Sequence, residues 1–330
     1  LEFRRVLFRS VDAAFPYLSS NLDFAGDADI RGRYTETVGD ADLEDAATLA
    51  GRIVPSAVVT KGDEKIGLVG VTTQIVESIS STGNVEVEGF AGDGAEANDM
   101  ALLAAQLQPV IDDLIAQGVN KIILMSHLQQ IELEKALAPL LTGVDIILAA
   151  GSNTRLGDAD DDAAAFPGHA ADFAGTYPIL TAGADGGATL IVNTDNEYTY
   201  LGRLVVEFDA AGNIIADGLD PTINGAYAAT DANVAAAWGV AEADLATTAF
   251  AAGTKGAEVA EITDAVQAVI EAKDGEVWGY TNVYLEGERN QVRNQETNFG
   301  NLTADANLAA ARDALGAGIL AGSLKNGGGI

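Results

Sequence analysis

Residues 121–154 read KIILMSHLQQIELEKALAPLLTGVDIILAAGSNT, and this stretch decides the fold class. It opens at Lys121–Met125 with a continuous apolar run, the pattern of a strand buried on both faces. Residues 130–141 have helical spacing. Residues 144–149, VDIILA, form a second apolar run. Upstream, residues 66–71 (IGLVGV) read as another buried strand. Residues 95–118 read as a helix with Leu103, Leu107, Val110, Ile111 and Leu114 on one face and Gly118 at its stop. Strands separated by helices predict an α/β domain with a largely parallel core. Downstream, residues 177–182 and 189–192 read as strands, and residues 200–209 as a strand entering a turn toward Ile214 and Ile215.

This first domain is expected to close near residue 218. Residues 219–275 are expected to be a connecting helical segment, because 231–272 is Ala-rich and broken only around Gly253–Gly256. Residues 276–330 then open a second domain. There 277–285 has alternating strand character, and 301–315 reads as a helix with Asn301 or Thr303 as its cap. Residues 1–10, LEFRRVLFRS, do not match the rest. They hold three of the 18 basic residues and resemble a translated sequencing adapter, so they are set aside from the fold reading.

The chain has 330 residues and 48% hydrophobic composition, enough for two domains with real cores. Its net charge of −31 opposes binding to nucleic acid and to anionic membrane surfaces. Such an acidic surface suits a secreted or periplasmic setting, and this composition is common in marine and halophilic bacteria. With no cysteine, disulfides, Cys-ligated zinc and thiol catalysis are excluded. No run of 18 apolar residues suggests a membrane span. No protein partner can be inferred.

There are two histidines, His127 and His169. His127 follows the strand KIILM, and Asn153 follows VDIILA. Ligands in open α/β sheets bind outside the carboxyl ends of strands. An imidazole and an amide oxygen at such an edge are plausible metal ligands. The acidic loop 158–162 lacks the spacing of a calcium loop and reads as a solvated face.

Three blocks, KIGLVGVT at 65–72, Ser126-His127, and VDIILAAGSNT at 144–154, resemble the second half of the metallophosphoesterase domain of 5'-nucleotidases. LEGERNQVRNQETNFGNLTADA at 285–306 resembles the start of their C-terminal substrate domain, and NGGGI at 326–330 resembles the family's Asn-Gly-Gly-Gly-Ile-Arg motif. The resemblance implies an α/β fold: a partial metallophosphoesterase β-sandwich flanked by helices, then a connecting helical segment and the start of an α/β substrate domain.

It also implies two divalent metal ions (Zn, Mn, Mg or Ca) that activate a water for in-line attack on a phosphate ester. His127 and Asn153 then match one ligand each. Arg289, Arg293 and Asn326 match substrate contacts, for which guanidinium forks suit phosphate oxygens. The implied substrate is a nucleotide or a related small phosphate ester. The family has a His two residues before the Asn, and here that position is Gly151. Its Asp-x-His, Gly-Asp and Asn-His-Glu/Asp motifs find no match in residues 11–60, and Asn21 reads as structural. Two other readings stay open: a non-enzymatic acidic module on the same fold, and a cyclic phosphodiesterase.

Overall fold

The computed structural model describes residues 13–35, 45–80, 82–89, 97–162, 165–166, 172–274, 277, 279–316 and 322–325. Residues 1–10, His169, Asn326 and the rest of NGGGI lie outside the described residues, as does the side chain of Arg289. The chain divides into two compact units, residues 1–249 and 250–330. That boundary falls inside the 219–275 stretch.

The first unit starts with three short strands, β1 (Tyr17–Leu18), β2 (Leu22–Asp23) and β3 (Ile53–Val54). Then come β4 (Ser56–Lys61), β5 (Glu64–Thr72), a single helical turn α1 (Val76–Ile79) and β6 (Glu86–Val87). Helix α2 (Met100–Ala116) leads to β7 (Ile122–His127), α3 (Ile131–Leu137) and β8 (Ile146–Ala150). Strands β9 (Ile179–Ala182), β10 (Ala188–Val192), β11 (Tyr200–Arg203) and β12 (Gly225–Ala228), and helix α4 (Asp231–Trp238), complete it.

The central sheet has six strands in the order β4-β5-β7-β8-β10-β9. Strands β5, β7, β8 and β10 run parallel, and β4 and β9 are antiparallel edges. The apolar runs of the sequence are therefore the interior parallel strands, as burial on both faces requires. Among the described residues the remaining pairings are two-stranded ladders, so this sheet is the one extended layer.

Helix α2 begins at Met100 because Asp99 caps it, its carboxylate accepting from Ala101 and Leu102 N–H at 3.0 Å each. Leu103, Leu107, Ile111 and Leu114 then face the sheet and pack with Val69, Ile122, Leu124 and Ile147. Each of these four side chains is almost fully buried and contributes about 1.5–3 kcal/mol by removal from water. Gly118, with φ +85, ends the helix.

The other face is covered by the chain that follows β11. Regular pairing of the 200–209 stretch stops at Arg203. Leu204, Val206 and Phe208 instead pack onto Ile146, Leu190 and Ile214. At Val205 the strand partner is replaced by a side chain: Asn224 accepts from Val205 N–H and donates to its carbonyl at 3.1 Å. An amide side chain satisfies one peptide unit, so the ladder ends there.

The second unit contains α5 (Lys255–Asp274), α6 (Arg289–Val292) and α7 (Asn298–Leu315). Among its described residues 277 and 279–288 no strand forms, which corrects the strand reading of 277–285. The Asn298 amide explains the local path, accepting from Glu286 N–H at 2.8 Å and donating to the Tyr284 carbonyl at 2.7 Å. These bonds hold the segment to the start of α7 and not in a ladder. The cap of α7 is Thr297, whose hydroxyl accepts from Gly300 N–H at 3.1 Å, and not Asn301 or Thr303 further along the chain.

Candidate functional site

The carboxyl ends of β5, β7, β8 and β10 form one edge of the central sheet. Register places Thr72 beside His127, and His127 beside Ala150. His127 is the last residue of β7, and Thr73 N–H donates to its carbonyl at 3.0 Å. Its side chain points to solvent, as strand alternation against buried Ser126 and Leu128 demands.

Past β8 the chain turns through Gly151 (φ +84) and Asn153 (φ +52), both left-handed. Glycine and asparagine are the residues that enter this region at least cost. Gln129 (φ +73) makes the matching turn after β7.

Gly151 is the pivot of this edge. A Cβ placed on it would lie 2.7 Å from both Cδ2 and Nε2 of His127 and 3.2 Å from the Gln129 Cα. The imidazole of His127 therefore covers the space that a side chain at 151 would need. This brings the imidazole alongside the turn that carries Asn153, two residues on.

That turn is held by its neighbours. Ser152 Oγ accepts from Thr154 Oγ1 at 2.8 Å and from Asn193 Nδ2 at 2.9 Å, the latter from the end of β10. Arg155 is buried with its guanidinium over the rings of Phe173 and Tyr200, at 5.2 and 5.1 Å, and donates to the Tyr200 hydroxyl at 2.9 Å. In a chain this acidic, a buried stacked arginine anchors the backbone following Asn153.

The β5 end is held by Asn21. Its amide donates to the Thr72 carbonyl at 2.7 Å and accepts from Thr72 N–H at 2.8 Å, and the side chain is fully buried. Asn21 therefore acts as a strand-pairing group for Thr72.

Behind His127 lies Glu134 of α3, fully buried. Its Oε1 accepts from Ser126 Oγ at 2.7 Å and from Leu128 N–H at 3.3 Å. Burial raises its pKa above the ordinary carboxyl value, and these bonds offset that only in part. Sequence reading passed over Glu134. The signal was an acidic residue on the inward stripe Ile131, Leu137, Ala138, Leu141.

Asp145 is also perturbed, pushed up to about 7 chiefly by burial, with Asp185 adding to the shift. It sits at the opposite, amino end of β8, where it accepts from Ile122 N–H at 2.7 Å. It thus belongs to the sheet and not to the His127 edge.

His127 and Asn153 offer an imidazole nitrogen and an amide oxygen, donors that divalent ions accept. Among the described residues, no group of three His, Cys, Asp or Glu side chains converges anywhere. The charge-neutralising carboxylates of a two-metal centre are therefore not supplied by these residues. In the second unit, Arg293 is exposed just after α6, and Arg289 begins that helix, one turn earlier.

No family model matches the chain. It is 27% identical over 295 residues to human 5'-nucleotidase, a match covering 89% of this chain and 41% of that protein. The bovine 5'-nucleotidase is 28% identical over 292 residues, covering 88% and 40%. The crystal structure of the 5'-nucleotidase precursor from Thermus thermophilus superposes with a TM-score of 0.59 at 27% identity, over 90% of this chain and 46% of that one. The chain is thus similar to 5'-nucleotidases in sequence and in fold. It spans about two fifths of the length of the human and bovine 5'-nucleotidases it matches. Among the described residues no helix is long and apolar enough to cross a membrane.

Proposed function

We propose that this chain is part of a secreted or periplasmic phosphoric-ester hydrolase that removes phosphate from nucleotides. His127 and Asn153 each give one ligand to a divalent-metal site, and Arg289, Arg293 and Asn326 contact the substrate. The observation that carries this reading is the shared edge, where the His127 imidazole covers Gly151 beside the turn bearing Asn153. A bound divalent ion supplies an activated water and charge neutralisation at the phosphate. The residues of this chain contribute placement: β7 and β8 fix two donors at neighbouring strand ends, and arginine forks in the second unit suit phosphate oxygens.

The described donors are two and include no carboxylate, so the 330-residue chain by itself is expected to release no phosphate. The test is phosphate release from AMP and from p-nitrophenyl phosphate with added Mn²⁺, Zn²⁺ or Ca²⁺, run on this chain and on a longer protein carrying it. Turnover by the longer protein, abolished by His127→Ala, supports the assignment. Metal-dependent turnover by the shorter chain, lost in the same variant, would show that its site is more complete than proposed.

Gly151 favours one second reading, a non-enzymatic acidic module that keeps the fold without a full metal centre. It predicts that the longer protein is folded and inactive with every metal.

A further inference from the structure

One buried carboxyl group holds the chain on both sides of His127. Ser126 and Leu128, which bracket His127, both donate to the same oxygen of Glu134. Ser126 Oγ also lies 3.3 Å from the Leu148 carbonyl, so the tie reaches across to β8, which carries the Gly151 turn. Between these two clamped and buried neighbours, His127 faces outward.

Packing does not require an acid here. Glu134 occupies an inward position of α3 among Ile131, Leu137 and Leu141, where a leucine would fill space without desolvating a polar group. What a carboxyl adds is an acceptor for Leu128 N–H, a backbone donor that has left β7 and precedes α3. Its second oxygen, Oε2, is buried with no hydrogen-bond partner among the described residues. The side-chain bonds of Glu134 therefore serve the 126–128 segment.

We infer that Glu134 is a positioning residue which, acting through Ser126 and Leu128, sets the direction of the His127 imidazole over Gly151. The inference deepens the metal-ligand reading of His127 and rests on it only for its metal arm.

The experiment uses the full 330-residue chain with isotope-labelled histidine. The first readout is the nuclear Overhauser cross-peak between the His127 ring and the Gly151 α protons. It is expected in the wild type and in Glu134→Gln, which keeps the acceptor and the volume. It is expected to be lost in Glu134→Ala and weakened in Ser126→Ala. Should Glu134→Ala fail to fold, Ser126→Ala decides, since it removes one hydroxyl from a strand.

The second readout is Zn²⁺ titration followed on the His127 ring. Removing an outer partner of a ligand weakens metal binding by roughly tenfold or more, so Glu134→Ala is expected to lose about that much and Glu134→Gln little. A cross-peak kept at full strength in the folded Glu134→Ala and Ser126→Ala chains would overturn the inference. So would its loss in Glu134→Gln as complete as in Glu134→Ala. A wild-type ring that ignores Zn²⁺ would sink the metal assignment instead, and the cross-peak would still judge the positioning role.

Discussion

Gly151→Ala is the smallest change that tests the geometry of the His127 edge. The residue has φ +84, a conformation that costs an L side chain about 1–2 kcal/mol. The new Cβ would also lie 2.7 Å from two ring atoms of His127, too close for any contact, so the ring must leave its place. Forcing a side chain off its rotamer adds about 0.5–1.5 kcal/mol. The expected loss is therefore about 1.5–3.5 kcal/mol. For a unit of this size that lowers Tm by about 3–14 °C, at roughly 2–4 °C per kcal/mol.

The assay is urea or thermal unfolding of Gly151→Ala alone and in a His127→Ala background. With the imidazole gone the backbone cost and the close approach to the Gln129 Cα remain, so the second effect should be smaller by about 0.5–1.5 kcal/mol. Equal costs in the two backgrounds would refute the placement of the ring over Gly151. A histidine at 151 meets the same conflict, so Gly151→His is expected to displace the His127 ring as well.

Three further outcomes follow from other parts of the chain. Asp145 has a folded-state pKa of about 7 against 3.8, so the native state binds its proton more tightly than the unfolded one. Its contribution therefore favours folding at low pH, fades as pH rises from about 4 to about 7, and is flat above that. Asp145→Asn should flatten that slope in chemical denaturation measured across the same range, and an unchanged slope would contradict the burial argument. Asn21→Ala leaves the Thr72 N–H and carbonyl without their partners, and each unsatisfied buried group costs about 1–3 kcal/mol. The denaturation midpoint should fall accordingly, and a loss below about 0.5 kcal/mol, the usual range of a surface change, would show that Asn21 does not hold the β5 end. Arg155→Lys keeps the charge and loses the planar stack on Phe173 and Tyr200, so it should destabilise by about 1 kcal/mol or more in the same assay. A neutral result would argue against the anchoring role.

Much of this fold could be read from the chain directly, because its signals are local. The runs at 66–71, 121–125 and 144–149 are short, mostly apolar and separated by helical spacing, and burial on both faces produces that pattern wherever it occurs. Those runs became the interior parallel strands, and their ends put His127 and Asn153 on one edge. The 277–285 stretch shows the limit. Alternation there suggested a strand, but no partner strand lies among the described residues, and Asn298 takes up the backbone groups instead.

What only the tertiary structure decided are relations between residues far apart in sequence. That Gly151 leaves room for an imidazole 24 positions earlier depends on the β7–β8 register. That Glu134 clamps Ser126 and Leu128, or that Asn21 stands in for a strand beside Thr72, depends on helix and loop packing that no local period encodes. Periodicity reports which face of an element is buried. Which polar group finds which partner inside that face is set by the three-dimensional approach of the elements, and it is there that the surroundings of His127 were built.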